Sequence, residues 1–132
     1  MALQCNYFLF FSGALQYRIY VNTIRIMANI RIIETETFSR WFKKFNDLTA
    51  KTNILTRFDR AKLGHLGDVD SVGGGVFEMR FHSGAGYRVY FSRRSNGEII
   101  LLLGGGDKTS QDDDIKQAKK LNKKEFQELV SK

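Results

Sequence analysis

The sequence predicts an α+β domain in which an N-terminal strand and a two-helix hairpin pack on a twisted antiparallel sheet of about four strands, followed by a short C-terminal helix. Three observations carry this. Apolar residues recur at helical spacing up to about residue 63, then alternate with a period of two from Val76 to Arg94. Residues Ile99 to Leu103 are apolar at every position, the mark of a strand covered on both faces. A chain of 132 residues with 42% hydrophobic content is long enough for one core and too short for two.

Composition narrows the function classes. The formal net charge is +7, and residues 1–26 carry only Arg18 and Arg25, so the remainder keeps +5 (7 less 2). Such a surplus points to an anionic partner, nucleic acid or an acidic protein, or to simple solubility. The single cysteine, Cys5, precludes an intramolecular disulfide, and with only His65 and His82 beside it neither a metal site nor another cofactor is expected. A reducing cytoplasm is the expected compartment. Residues 5–15, CNYFLFFSGAL, are apolar, but no basic residue precedes them and they are too short to span a bilayer. Met27 is followed by ANIRIIETETF, which reads as the beginning of a domain. The expectation is a single domain over residues 27–132, with Met27 as the biological start or residues 1–26 as a loosely ordered extension.

The elements follow in order. Ile30 to Ile33 is a short β-branched strand. Phe38, Trp41, Phe42, Phe45 and Leu48 then fall on one helical stripe, with Arg40, Lys43, Lys44 and Asp47 off it, which predicts an amphipathic helix over 36–48. A second helix over about 50–63 turns Ile54, Phe58 and Ala61 inward, and Gly64 supplies its C-terminal stop. Residues 64–76 are turn-rich and hold at most a short strand at Val69 to Val72.

Alternation then sorts side chains onto faces. Phe77, Met79 and Phe81 form one set, with Glu78, Arg80 and His82 opposite; Tyr87, Val89 and Phe91 form the next, with Arg88, Tyr90 and Ser92 opposite. If these strands pair antiparallel through the SGAG loop, the registers that keep the apolar sets together set Arg80 across from Tyr90 or from Arg88. The others bury Arg88 unpaired, which is prohibitively costly. Glu78, Arg80, His82, Arg88, Tyr90 and Ser92 therefore share one face.

Ser95-Asn96-Gly97 is a hairpin turn, because Asn-Gly tolerates positive backbone angles. After the apolar strand, GGGDKTS has the outline of a phosphate-binding loop but not its glycine-to-lysine spacing, so nucleotide hydrolysis is not expected. The last helix runs over about Gln111 to Leu121, with aspartates at 112–114 and lysines toward its end, matching the macrodipole; residues past Phe126 are expected to fray.

The arginine face is either a solvated sheet surface or a phosphate clamp, since guanidinium groups offer forked donors to phosphate oxygens. The motifs Leu66-Gly67-Asp68-Val69, Phe77-Glu78-Met79-Arg80, Gly86-Tyr87-Arg88-Val89-Tyr90-Phe91 and Leu103-Gly104-Gly105-Gly106-Asp107-Lys108, in this order over about Asn29 to Glu125, resemble the RelE/HigB-like toxins of type II toxin–antitoxin modules, in the phage-derived Gp49-like or addiction-module killer branch.

This resemblance implies a RelE-like fold and a metal-independent, ribosome-dependent mRNA endonuclease, in which a ribose 2′-hydroxyl attacks the adjacent phosphate to leave a cyclic phosphate. It implies as partners the ribosome, mRNA and a cognate antitoxin, a helix-turn-helix protein. The family's central arginine falls on Arg88, its second basic position on Arg80, and Lys108 falls where relatives carry a basic or imidazole group. Tyr87 and Tyr90 are candidate stacking partners for bases, and Arg57, Lys62, Arg93 and Arg94 candidate phosphate contacts. Relatives often carry a tyrosine or histidine near the C-terminus, yet neither follows Tyr90 here. The general base is then sought first in Glu78 and next in His82, with Asp107 and His65 behind them, or proton transfer is shared with the ribosome. A ParE-like gyrase inhibitor and a non-catalytic basic binding module are the competing functions. Mass spectrometry of the protein from its native host tests the start: if Met27 is the start, no peptide derives from residues 1–26.

Overall fold

The computed structural model describes residues 29–82 and 84–130; the N-terminal extension and the start at Met27 lie outside the described residues. The chain runs β1 (Arg31–Glu34), α1 (Glu36–Lys44), α2 (Leu48–Lys62), β2 (Val69–Gly73), β3 (Val76–Arg80), β4 (Arg88–Arg94), a 3-10 turn (Ser95–Gly97), β5 (Ile99–Gly106) and α3 (Gln111–Val130).

Local chemistry sets the helix ends. Thr35 caps α1, its hydroxyl accepting from the Phe38 amide, and Asp47 caps α2 by accepting from the Ala50 amide. Gly64, at φ +93°, ends α2: its amide donates to the Ala61 carbonyl and the His65 amide to that of Arg60. Those two bonds define the Schellman stop expected of that glycine.

The sheet has the order β1-β5-β4-β3-β2, with every neighbouring pair antiparallel except β1 and β5, which run parallel. Two expectations are corrected here: the strands number five, and the sheet is mixed. The reason lies in β5, which needs a hydrogen-bonded neighbour on each edge; β4 supplies one, and β1 supplies the other through pairs such as Ile32 with Ile100. Of the two registers left open, the chain takes Arg80 opposite Arg88, with Glu78 opposite Tyr90.

Two apolar layers sandwich the sheet. Phe38, Ile54, Phe58 and Ala61 of the helical hairpin pack on Met79, Val89, Phe91, Ile100 and Leu102. On the other face, Ala118 of α3 packs on Val76, Tyr90, Leu101 and Leu103. Successive residues of β5 thus serve opposite cores, as its unbroken apolar run requires. The C-terminal helix is not short: it continues through Val130 because Arg94 of β4 donates to the Asn122 side chain at 2.7 Å and stacks over Phe126 at 5.5 Å.

In Leu103-Gly104-Gly105-Gly106 the last two glycines are required by packing. A Cβ on Gly105 would fall into the ring of Trp41, and one on Gly106 would collide with Asp114 at the first turn of α3. Gly105→Ala is therefore expected to destabilise the protein by about 1–3 kcal/mol through overpacking, measured by denaturant unfolding.

Candidate active site

The shared face foreseen from alternation divides in two. Helix α3 covers its Val76, Tyr90 and Ser92 part, while the part holding Arg80 and Arg88 extends past the start of that helix. Two guanidinium groups on directly opposed residues repel, so this pairing needs a counter-charge. Glu78 provides it. Its Oε1 lies 3.7 Å from Arg80 Nη1 and its Oε2 3.4 Å from Arg88 Nε, and Gln111 of α3 donates to Oε2 at 3.3 Å. The Glu78 side chain is only 6% exposed. A carboxylate so enclosed by partners serves to hold the arginines, and it has no open side from which to take a substrate proton.

Asp68, in the loop before β2, is the second anchor. Its Oδ1 accepts from Arg80 Nη2 at 2.7 Å and Nε at 3.2 Å, its Oδ2 accepts from His82 Nε2 at 2.5 Å, and its carbonyl accepts from the Arg80 amide. The Arg80 hydrogen bond, then that of His82, holds the Asp68 carboxyl below its ordinary range. The loop is itself fastened by Arg57, which donates to the carbonyls of Leu66 and Arg80 and lies over the Phe81 ring at 4.8 Å. Gly67, at φ +75°, leaves room for that guanidinium, into which a Cβ would project.

Arg88 is held less completely than Arg80. It donates through Nη1 to the Gly86 carbonyl, and its buried Nε, beside Glu78, has no hydrogen-bond partner among the described residues. Beside it Tyr87 packs edge-on against Phe45 at 4.4 Å, and its hydroxyl donates to Asp47 at 3.5 Å. Burial first, and Asp47 second, pushes the Tyr87 phenol up, so it stays protonated. Asp107 accepts from the amides of Thr109 and Ser110 and so shapes the turn between β5 and α3 in which Lys108 sits.

These elements enclose a cavity of about 180 Å³ lined by Arg80, Phe81, His82, Gly86, Tyr87, Arg88 and Lys108. It is smaller than the roughly 300–1,000 Å³ usual for a small-molecule site. A larger groove of about 500 Å³, between Thr37 and the lysines of α3, contains none of the expected site residues.

The remaining expected contacts lie elsewhere. Tyr90 is 0% exposed and cannot stack on a base; burial pushes its phenol far up, and its hydroxyl has no hydrogen-bond partner among the described residues. Alternation identified its face but not the helix that covers it. Arg94 anchors α3, and Arg57 is committed to backbone carbonyls. Arg93 stacks on Phe77 at 5.3 Å, on the opposite face from Arg88, while Lys62 pairs with Asp59 at 3.4 Å near the end of α2. Asp68 and Gln111 join this cluster without any signal in the helical or strand periodicity. The one signal for Asp68 is its place in Leu66-Gly67-Asp68-Val69, because a loop residue has no periodicity to reveal its direction.

This sheet order, with a helical hairpin on one face and a C-terminal helix on the other, defines a RelE-like α+β fold. The free E. coli toxin RelE, solved as an arginine-to-alanine double mutant, aligns with a TM-score of 0.58 at 12% identity, over 70% of this chain and 96% of its own. The intact E. coli RelBE toxin–antitoxin complex aligns at a TM-score of 0.46 and 10% identity, over 59% of this chain and 95% of that one, and carries no further weight. By sequence, an uncharacterized protein of Haemophilus influenzae is 49% identical over 92 residues, 70% of this chain and 92% of its own length, and this chain belongs to the same family. No protein-family model matches the chain. Among the described residues no helix is long and apolar enough to cross a membrane.

A depressed Asp68 carboxyl has a definite consequence for stability. Its folded-state pKa lies below the unfolded value, near 3.9, so its contribution is present above that value and is lost as pH falls through the folded one. Denaturant unfolding from pH 6 downward should show a smaller acid-induced loss of stability in Asp68→Asn than in the parent protein.

Proposed function

We propose that this protein is the toxin of a type II toxin–antitoxin pair and acts as a metal-independent endoribonuclease on ribosome-bound mRNA. The observation that carries this reading is the pairing of Arg80 and Arg88 across β3 and β4 at a cavity that Tyr87 and Lys108 also line. The RelE-like fold agrees with it, and so do the motifs that resemble this toxin family.

In the reaction, the ribose 2′-oxygen attacks the neighbouring phosphorus, the bond from phosphorus to the 5′-oxygen breaks, and the products are a 2′,3′-cyclic phosphate and a 5′-hydroxyl. Negative charge grows on the non-bridging oxygens during attack. Arg88, in the wall of the cavity, receives that charge, and Arg80 reinforces the positive potential while staying bound to Asp68. Because Glu78 and Asp68 hold both guanidinium groups before substrate arrives, little reorganisation is needed at the transition state. Lys108 stands at the cavity as the donor for the departing 5′-oxygen. Tyr87 is the aromatic surface available to a base at this cavity. A cognate helix-turn-helix antitoxin and the ribosome are the partners this reading requires, and the basic surplus of the chain suits both.

Inducing the protein in cells and mapping mRNA 5′ ends tests the proposal, with codon-periodic cuts as the expected result. Intact message accompanied by DNA-damage signalling would indicate a gyrase poison instead. Arg88→Ala should lower the cleavage rate about a hundredfold and relieve growth arrest while the protein remains folded. Arrest that persists in the folded variant would overturn the role of Arg88.

A further inference from the structure

We infer that Asp68 and His82 form a proton-accepting pair in which Asp68 is the positioning residue and His82 the general base for the 2′-hydroxyl. The inference rests on the endoribonuclease reading above and supplies the group that it lacks.

His82 Nε2 contacts Asp68 Oδ2 at 2.5 Å, and a carboxylate can only accept. A neutral His82 ring therefore carries its proton on Nε2 and leaves Nδ1 with a lone pair. Asp68 stays ionised because Arg80 donates twice to its other oxygen, so the tautomer is held wherever Arg80 holds Asp68. The ring is otherwise accessible, its side chain 77% exposed, and it lines the same cavity as Arg88 and Lys108. In this geometry a partly exposed carboxylate orients an imidazole and leaves its other nitrogen for proton transfer.

The alternatives lack one or another of these features. Glu78 is enclosed by Arg80, Arg88 and Gln111. Asp107 is occupied by donors from Thr109 and Ser110, and His65 lies just past the end of α2 and does not line the cavity. The charged groups around His82 are Asp68 from the loop, Arg80 from β3, Arg88 from β4, Lys108 after β5, and Arg57 and Arg60 of α2, which share a second cavity with it.

The step balances without a co-reactant. His82 Nδ1 takes the proton as the 2′-oxygen bonds to phosphorus, the 5′-oxygen leaves with the electron pair of the broken bond, and Lys108 gives it a proton. The imidazolium that forms is stabilised by Asp68.

The test is single-turnover cleavage of mRNA on programmed ribosomes, comparing the intact protein with Arg88→Ala, His82→Ala, Asp68→Asn and Asp68→Glu. His82→Ala should lose about a hundredfold or more in rate, and added imidazole should restore part of it, a rescue no structural role would give. Asp68→Asn should lower the maximal rate while leaving the half-saturating ribosome concentration unchanged, and Asp68→Glu should recover part of the loss. If the intact protein cleaves, folded Arg88→Ala does not, and folded His82→Ala cleaves at the parent rate, the pair is overturned and the endoribonuclease reading stands. If the intact protein leaves mRNA uncut, both fall together.

Discussion

An eight-residue strand without one polar side chain has no face to show to water, and β5 imposes that constraint on the whole molecule. Ile100 and Leu102 point into one core and Leu101 and Leu103 into the other, each nearly or fully buried. At about 1.5–3 kcal/mol for burying each such side chain, neither layer is dispensable. The helical hairpin must cover one face, α3 must cover the other, and β1 must close the edge that β4 leaves. Where β5 runs out of side chains, Gly105 and Gly106 allow Trp41 and the first turn of α3 to close on the backbone. Those contacts set where α3 begins, and so where its cover of the sheet ends.

The candidate site occupies that boundary. Two arginines facing each other across antiparallel strands would repel, and Glu78 beneath them offsets the repulsion from a position that Gln111 helps enclose. Asp68 repeats the device from the loop side. Both carboxylates work against simple accumulation of positive charge, and both give the guanidinium groups a definite direction. A rigid, partly compensated pair is better suited to charge that appears only in a transition state than a loose cluster of lysines, because its orientation is set before reaction.

Much of this was legible in the chain because it depends on periodicity. The two-residue alternation and the cost of burying Arg88 reduced the strand pairing to two registers, and the observed one was among them. Helical spacing located both members of the hairpin and Gly64 its end, but the first helix stops at Lys44 rather than at 48, and Leu48, expected on its inward stripe, opens α2 exposed to solvent. Other features depend on where elements meet. Tyr90 looked available because alternation identifies a face without saying which part of it a later helix covers. Arg57 and Arg94 looked free for the same reason, although one fastens a loop and the other holds α3.

By itself, then, the sequence determined the element types, the strands' inward and outward sets, and the presence of Arg80 and Arg88 on one surface, since each follows from local spacing and the aversion of charge to an apolar core. Only the tertiary structure decided that β1 joins β5 in parallel, that α3 divides the arginine surface, and that Asp68 meets His82. That last contact joins residues 14 apart in sequence. The intervening chain runs through β2 and β3, whose pairing brings the loop back beside the strand end; no local pattern of side chains encodes that return.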